Sequence, residues 1–195
     1  MSQGGYKIRD QYALHYWTMT VVGWADVFTR KEYKEIVLEN FSFYKKKGLN
    51  ISAYVIMSNH IHLIGYAQEN AIGLSGLIRD LKKAIARSVL NIIDNPKESR
   101  REWLKLVFAY HAKFNKRNSR YQFWIQDNRP IHLESPNFIR QKLDYIHLNP
   151  VRAGLVDDIQ DYVYSSARNY ADKDPVYNEI NVLDIQGSDI GYIKM

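Results

Sequence analysis

The chain has no cysteine in its 195 residues. That absence excludes a disulfide scaffold, a thiolate zinc site and cysteine catalysis. There is no run of about 18 apolar residues, so no membrane span is expected. No basic start followed by an apolar stretch marks a signal peptide, and the expected location is the cytoplasm. Repeats, low-complexity tracts and linker-like stretches are also missing. The length suits one compact domain with enough core to need no staple.

What is present is uneven charge. Lys and Arg total 27 against 21 Asp and Glu, a formal net charge of +6. Residues 171–195 carry five acids and two bases, so the +9 body lies in residues 1–170. A body of that charge is drawn to polyanions. We divide the chain into a domain over 1–170 and a polar C-terminal extension over 171–195.

Tyr12 to Trp24 is rich in aromatic and β-branched residues and reads as a strand. Thr29 is a fair N-cap for a helix over Arg30–Lys47, whose apolar residues Tyr33, Ile36, Val37, Phe41 and Tyr44 recur every three or four positions. Gly48 ends that helix. Ile51–Met57 and His60–Ala67 are short strands broken at Ser58–Asn59, and they suit a hairpin. Leu74, Ile78, Leu81, Ile85, Val89 and Ile92 form the stripe of the clearest helix, ended by Asn95–Pro96. Trp103–Phe114 suits another helix, followed by a basic loop at Asn115–Arg120. Tyr121–Gln126 is strand-like, and Phe123 and Trp124 suit the core better than the surface. Ser135 and Pro136 start a helix through His147, which Pro150 is expected to stop. The order suggests an α+β fold of ferredoxin-like type, an antiparallel sheet with helices on one face.

Two chemical signals stand out. In His60-Ile61-His62 the two imidazoles share one strand face and suit a divalent ion. A bare pair is an incomplete shell, and two half-exposed hairpin histidines are the bland alternative. Tyr145 and Asn149 are four apart, hence near one helix face, although Asn149 precedes a proline that disfavours helical dihedrals. A tyrosine can serve as nucleophile if its phenol is activated. His147 falls well round the helix from Tyr145 and suits packing or DNA contact rather than catalysis.

VIMSNHIHLI (Val55–Ile64) and LDYIHLNPVRAGLV (Leu143–Val156) resemble the two signature blocks of the single-tyrosine HUH transposases. The resemblance is to the REP-associated tyrosine transposases and their insertion-sequence relatives, and DYVYSSARNY (Asp161–Tyr170) resembles the segment that follows. It implies a ferredoxin-like, RRM-related fold and a homodimer acting on single-stranded or hairpin DNA, without a nucleotide cofactor. It further implies His60, His62 and Asn149 as ligands of Mg²⁺ or Mn²⁺ and Tyr145 as the nucleophile of strand cleavage and transfer. Asn149, where mobile-element members more often carry Gln, resembles the REP-associated branch. A binding module that keeps the fold but not the cleavage is the alternative. A basic DNA surface is expected among Arg79, Lys82, Lys83, Arg87, Lys113, Lys116, Arg117, Arg120, Arg129 and Arg152.

Overall fold

The computed structural model describes residues 7–115 and 120–184. Its order is β1 (His15–Thr20), α1 (Lys31–Lys45), β2 (Leu49–Ile56), β3 (His60–Ala67), α2 (Leu74–Ile93), α3 (Arg101–Ala112), β4 (Ile131–His132), α4 (Pro136–Arg152) and α5 (Ala167–Tyr170). The four strands form one antiparallel sheet in the order β2-β3-β1-β4. That is the βαββαβ arrangement with its hairpin strands at one side. The expected α+β class holds, and α3 is an addition between α2 and β4.

The helices do not keep to one face, as the sequence had suggested. Trp17, Met19, Tyr54, Ile56, Ile61 and Leu63 face α1, α2 and α3 in the larger core, where Phe41, Leu81 and Phe108 are fully buried. Tyr16, Val55 and Ile64 alternate with them and pack under Leu143 and Ile146 of α4. Both sheet faces carry apolar residues, so both need a cover. An irregularity between Ile51 and Ala53 shifts the alternation of β2, which lets Leu49 and Ile51 share the larger core with Tyr54 and Ile56.

Other boundaries differ for local reasons. The first strand ends at Thr20, and two short 3-10 turns follow at Val22–Trp24 and Val27–Thr29. Arg30, not Thr29, is the N-cap of α1; the Thr29 hydroxyl donates to the Asp26 carbonyl. Tyr121–Gln126 forms no strand beyond one bridge, Val21 to Trp124. Phe123 and Trp124 are buried by packing instead, and β4 lies further on. Pro150 does not stop α4, which runs to Arg152. It sits in the last turn, where a missing N–H removes a single bond. A Schellman arrangement then closes the helix: Gly154 N–H donates to Val151 at 2.9 Å and Leu155 N–H to Pro150 at 3.0 Å. Gly154 has φ 67°, a conformation that suits glycine.

After α4 the chain returns along the outer edge of β2. Ile56 N–H donates to Tyr164, Ser166 N–H to Tyr54 and Asn181 N–H to Ile51. These bonds cover an edge that would otherwise expose unpaired groups. Tyr177, from the described part of the extension, is buried against Phe41 and Tyr54. Among the described residues no helix is long and apolar enough to cross a membrane.

Candidate active site

The site forms where β1 and β3 meet α4. His62 pairs across the sheet with Thr18, and His60 with Thr20. Alternation puts Tyr16, Thr18, His60 and His62 on the α4 side. The two imidazoles lie with ring centroids 4.6 Å apart. His62 Nδ1 is 2.8 Å from the Tyr16 hydroxyl and 2.9 Å from Thr18 Oγ1. His60 Nδ1 is 2.6 Å from Asn59 Oδ1, so that ring nitrogen donates to the amide oxygen.

Burial disfavours the charged form of both rings. It lowers the pKa of His60, opposed by a hydrogen bond that the ring donates to the Asn149 side chain, which raises it. It pushes His62 down to about 3, with help from the nearby charges of His60 and Lys142. Both rings are therefore neutral near pH 7, the form that ligates metals. Their Nδ1 atoms are held by second partners, which fixes ring orientation. Together with the Asn149 amide this donor set fits a divalent ion taking mixed nitrogen and oxygen ligands. Among the described residues no group of three or more His, Asp or Glu side chains gathers anywhere, so a third protein ligand beside this pair has to be the amide.

Because α4 continues through Pro150, Tyr145 and Asn149 share a helical face in full. Lys142, Tyr145, Asn149 and Arg152 make a stripe at spacings of three and four. Leu143, Ile146, His147 and Pro150 are the buried side of the same helix. The Tyr145 ring is 5.2 Å from His62 and 6.1 Å from Tyr16, with about a third of the residue exposed. Lys142 Nζ lies 5.1 Å from the Tyr16 ring and 5.8 Å from that of Tyr145, and the Arg152 guanidinium is 5.9 Å from Tyr145. Tyr16 is pushed up to about 12 by burial, with the Tyr145 phenol adding to the rise. A phenol held neutral beside His62 can hydrogen-bond the ring without competing as a nucleophile.

The structure thus brings together His60, His62, Tyr145 and Asn149, and adds four residues that the sequence did not single out: Tyr16, Thr18, Asn59 and Lys142. Asn59 stood beside the His pair, but Tyr16 and Lys142 are recognisable only through strand pairing and the α4 stripe. His147 is fully buried, its Nε2 2.8 Å from Ser166 Oγ and its ring against Tyr170. Burial pushes its pKa down to about 3.

The expected basic surface is not gathered in one place. Among its described members Arg152 alone adjoins Tyr145. Arg79, Lys83 and Arg87 are exposed on α2, across the sheet from the His pair, and Arg79 pairs with Asp80. The Lys82 ammonium is turned inward, donating to the Ile125 carbonyl and to Asn128, and burial lowers its pKa to about 8. Lys113 and Arg120 are exposed, Arg120 over the Tyr121 ring, and Arg129 pairs with Asp127. Lys116 and Arg117 lie outside the described residues.

A Haemophilus influenzae protein provisionally named a REP-associated tyrosine transposase is 30% identical over 125 residues, 58% of this chain. The match spans 56% of that protein's length. A solved REP-associated tyrosine transposase bound to a REP hairpin superposes on the whole chain and 99% of its own, with a TM-score of 0.60 at 17% identity. The chain thus spans about half the length of the curated relative it matches, and it shares the fold of that solved transposase. A provisionally assigned transposase from Deinococcus radiodurans aligns over 75% of the chain with a TM-score of 0.40. No protein-family model matches the sequence. The likeness to the solved REP-associated structure runs the length of the chain, so it takes in α4 and the return along β2 as well as the sheet.

Proposed function

We propose that the chain is a metal-dependent single-strand DNA cleaving and joining enzyme of the REP-associated tyrosine transposase type. The observation that carries the proposal is the convergence of a neutral His pair, Asn149 and an accessible Tyr145 between β3 and α4. In this reading His60, His62 and Asn149 hold a divalent ion, Mg²⁺ or Mn²⁺. The ion, when bound, supplies Lewis-acid polarisation of a scissile phosphate.

The remaining work falls to side chains. Tyr16 and Thr18 orient His62, and Asn59 orients His60. Lys142 and Arg152, close to the Tyr145 ring, stabilise negative charge on the attacking phenol oxygen and on the phosphate. Tyr145 Oη attacks phosphorus as its proton passes to solvent water. The bond from phosphorus to the 3′ oxygen breaks, and that oxygen leaves as a 3′-hydroxyl after taking up a proton. A 5′-phosphotyrosine link remains and conserves the bond energy for rejoining to another 3′ end. The substrate is single-stranded DNA, presented beside a hairpin, and the working form is a homodimer.

Covalent trapping tests this. The protein is mixed with single-stranded DNA from the flanks of its own gene and Mn²⁺ or Mg²⁺, then run on a denaturing gel beside Tyr145→Phe and His60→Ala. A metal-dependent adduct lost in both variants is expected. Retained DNA binding with no adduct would make the chain a binding module instead.

A further inference from the structure

Trp24 stands apart from the other aromatic residues near the sheet. It is 65% exposed, although it closes the Val22–Trp24 turn that follows the buried β1 strand. Its backbone has φ 53°, in the left-handed region, where a bulky residue is rare. Gly23 before it has φ 63°, so two successive residues take that conformation. Arg129 and Asp172, the other described non-glycine residues there, are polar loop residues. Among the described residues Trp24 is the one large ring held this way.

The turn is fixed from several sides. Val21 N–H donates to the Asn59 carbonyl at 2.9 Å and Val22 N–H to Phe123 at 2.9 Å. Asn59 Nδ2 donates to the Trp24 carbonyl at 3.3 Å, while Asn59 Oδ1 accepts from His60 Nδ1. One amide therefore ties the Trp24 backbone to the His60 ring. Gly23 sits against α3: a Cβ there would lie 3.0 Å from Val107 and 3.2 Å from His111. The added helix α3 thus buttresses a strained turn whose product is an indole edge-on to His60, ring centroids 6.2 Å apart. Burial does not account for this strain, because most of the ring is in solvent. Strain kept without burial points to a role outside the fold.

Resting on the reading given under "Proposed function", we propose that Trp24 is a stacking platform for the nucleobase next to the scissile phosphate. A strand whose phosphate is held at His60 and His62 passes within a nucleotide's reach of the indole. Exposed aromatic rings beside a phosphate site bind single strands by stacking, with little base preference. Trp24 would thereby set which phosphate lies under Tyr145, and α3 would serve to hold it there.

The test uses the full chain and a short single-stranded oligonucleotide from the gene's flanks, together with copies of it carrying one abasic position each. Binding is read by fluorescence anisotropy, and thermal midpoints are recorded for every variant. Trp24→Ala is expected to weaken binding roughly tenfold, with Trp24→Phe restoring most of it. One abasic position beside the cleavage point should weaken the wild type by a similar factor and leave Trp24→Ala unchanged. Trp24→Gly should bind as poorly as Trp24→Ala, with a thermal midpoint equal to or above wild type, since glycine relieves the left-handed strain. Equal losses at every abasic position in wild type and Trp24→Ala would overturn the proposal. So would a midpoint that falls in Trp24→Gly, which would make the indole a structural element. The covalent adduct is a separate readout. Adduct without abasic coupling leaves cleavage standing and removes Trp24; abasic coupling without adduct does the reverse.

Discussion

The two faces of the sheet are built from the same strands and do opposite things. Toward α1 and α2, β1 and β3 present Trp17, Met19, Ile61 and Leu63, all fully buried in an apolar core. Toward α4, one residue out of step, the same strands present Tyr16, Thr18, His60 and His62. The first face has only to exclude water, and the second must keep polar groups partly desolvated yet paired. Desolvation there holds the imidazoles neutral, and hydroxyl and amide partners satisfy their Nδ1 atoms. Period-two alternation is enough to separate stability from chemistry in a sheet this small.

The sharpest way to break that comparison is to remove one group from each face. Tyr145→Phe, on a partly exposed ring, should cut adduct formation by at least about a thousandfold, with an unchanged thermal midpoint. Leu81→Ala, on the other face, should cost about 3 kcal/mol in urea unfolding through the cavity it leaves. Its adduct yield per folded molecule should stay at wild type. If Leu81→Ala lost activity beyond its loss of folded protein, the faces would not be independent.

Smaller effects sharpen the account. Tyr16→Phe removes one partner of His62 and should weaken metal affinity about 10- to 100-fold in calorimetric titration. Acid should destabilise the protein through its buried histidines. His147 is neutral in the fold, with a pKa of about 3, and takes up a proton near 6.5 once unfolded. The unfolded state therefore binds more protons below pH 6.5, and stability falls as pH drops toward the folded value. At pH 5 this ring alone should cost about 2 kcal/mol, seen as a flatter pH profile of unfolding in His147→Gln. Gly154→Ala should be the mildest change. The Cβ meets open space, so only the left-handed backbone opposes it, at about 1 kcal/mol and with no loss of adduct.

Much of this organisation was legible in the sequence. β3 and the start of α2 fall where alternation and periodicity put them, and Ser135 caps α4 by accepting from Phe138 N–H. His60, His62, Tyr145 and Asn149 were nameable because each lies in a short local pattern or in a block resembling a known family. Other features were hidden for physical reasons. Tyr121–Gln126 has strand-like composition, but Phe123 and Trp124 are used for burial and the segment forms a single bridge, Val21 to Trp124. Pro150 reads as a stop, yet it costs little in the last turn of a helix. Lys82 reads as one more surface cation on α2, whereas its ammonium donates to the Ile125 carbonyl and the Asn128 amide oxygen. Tyr16 and Lys142 meet at the site only through pairing across the sheet and helix packing, which no local spacing reports.

The most direct measurement of the central claim is to map the residue that carries DNA. The trapped adduct is digested with nuclease and protease, and the nucleotide-bearing peptide is sequenced by mass spectrometry. The account predicts a single phosphorylated tyrosine at Tyr145, dependent on added Mn²⁺ or Mg²⁺. Linkage at Tyr16, whose phenol burial holds neutral, or no linkage with a strand that the protein nonetheless cuts, would contradict it.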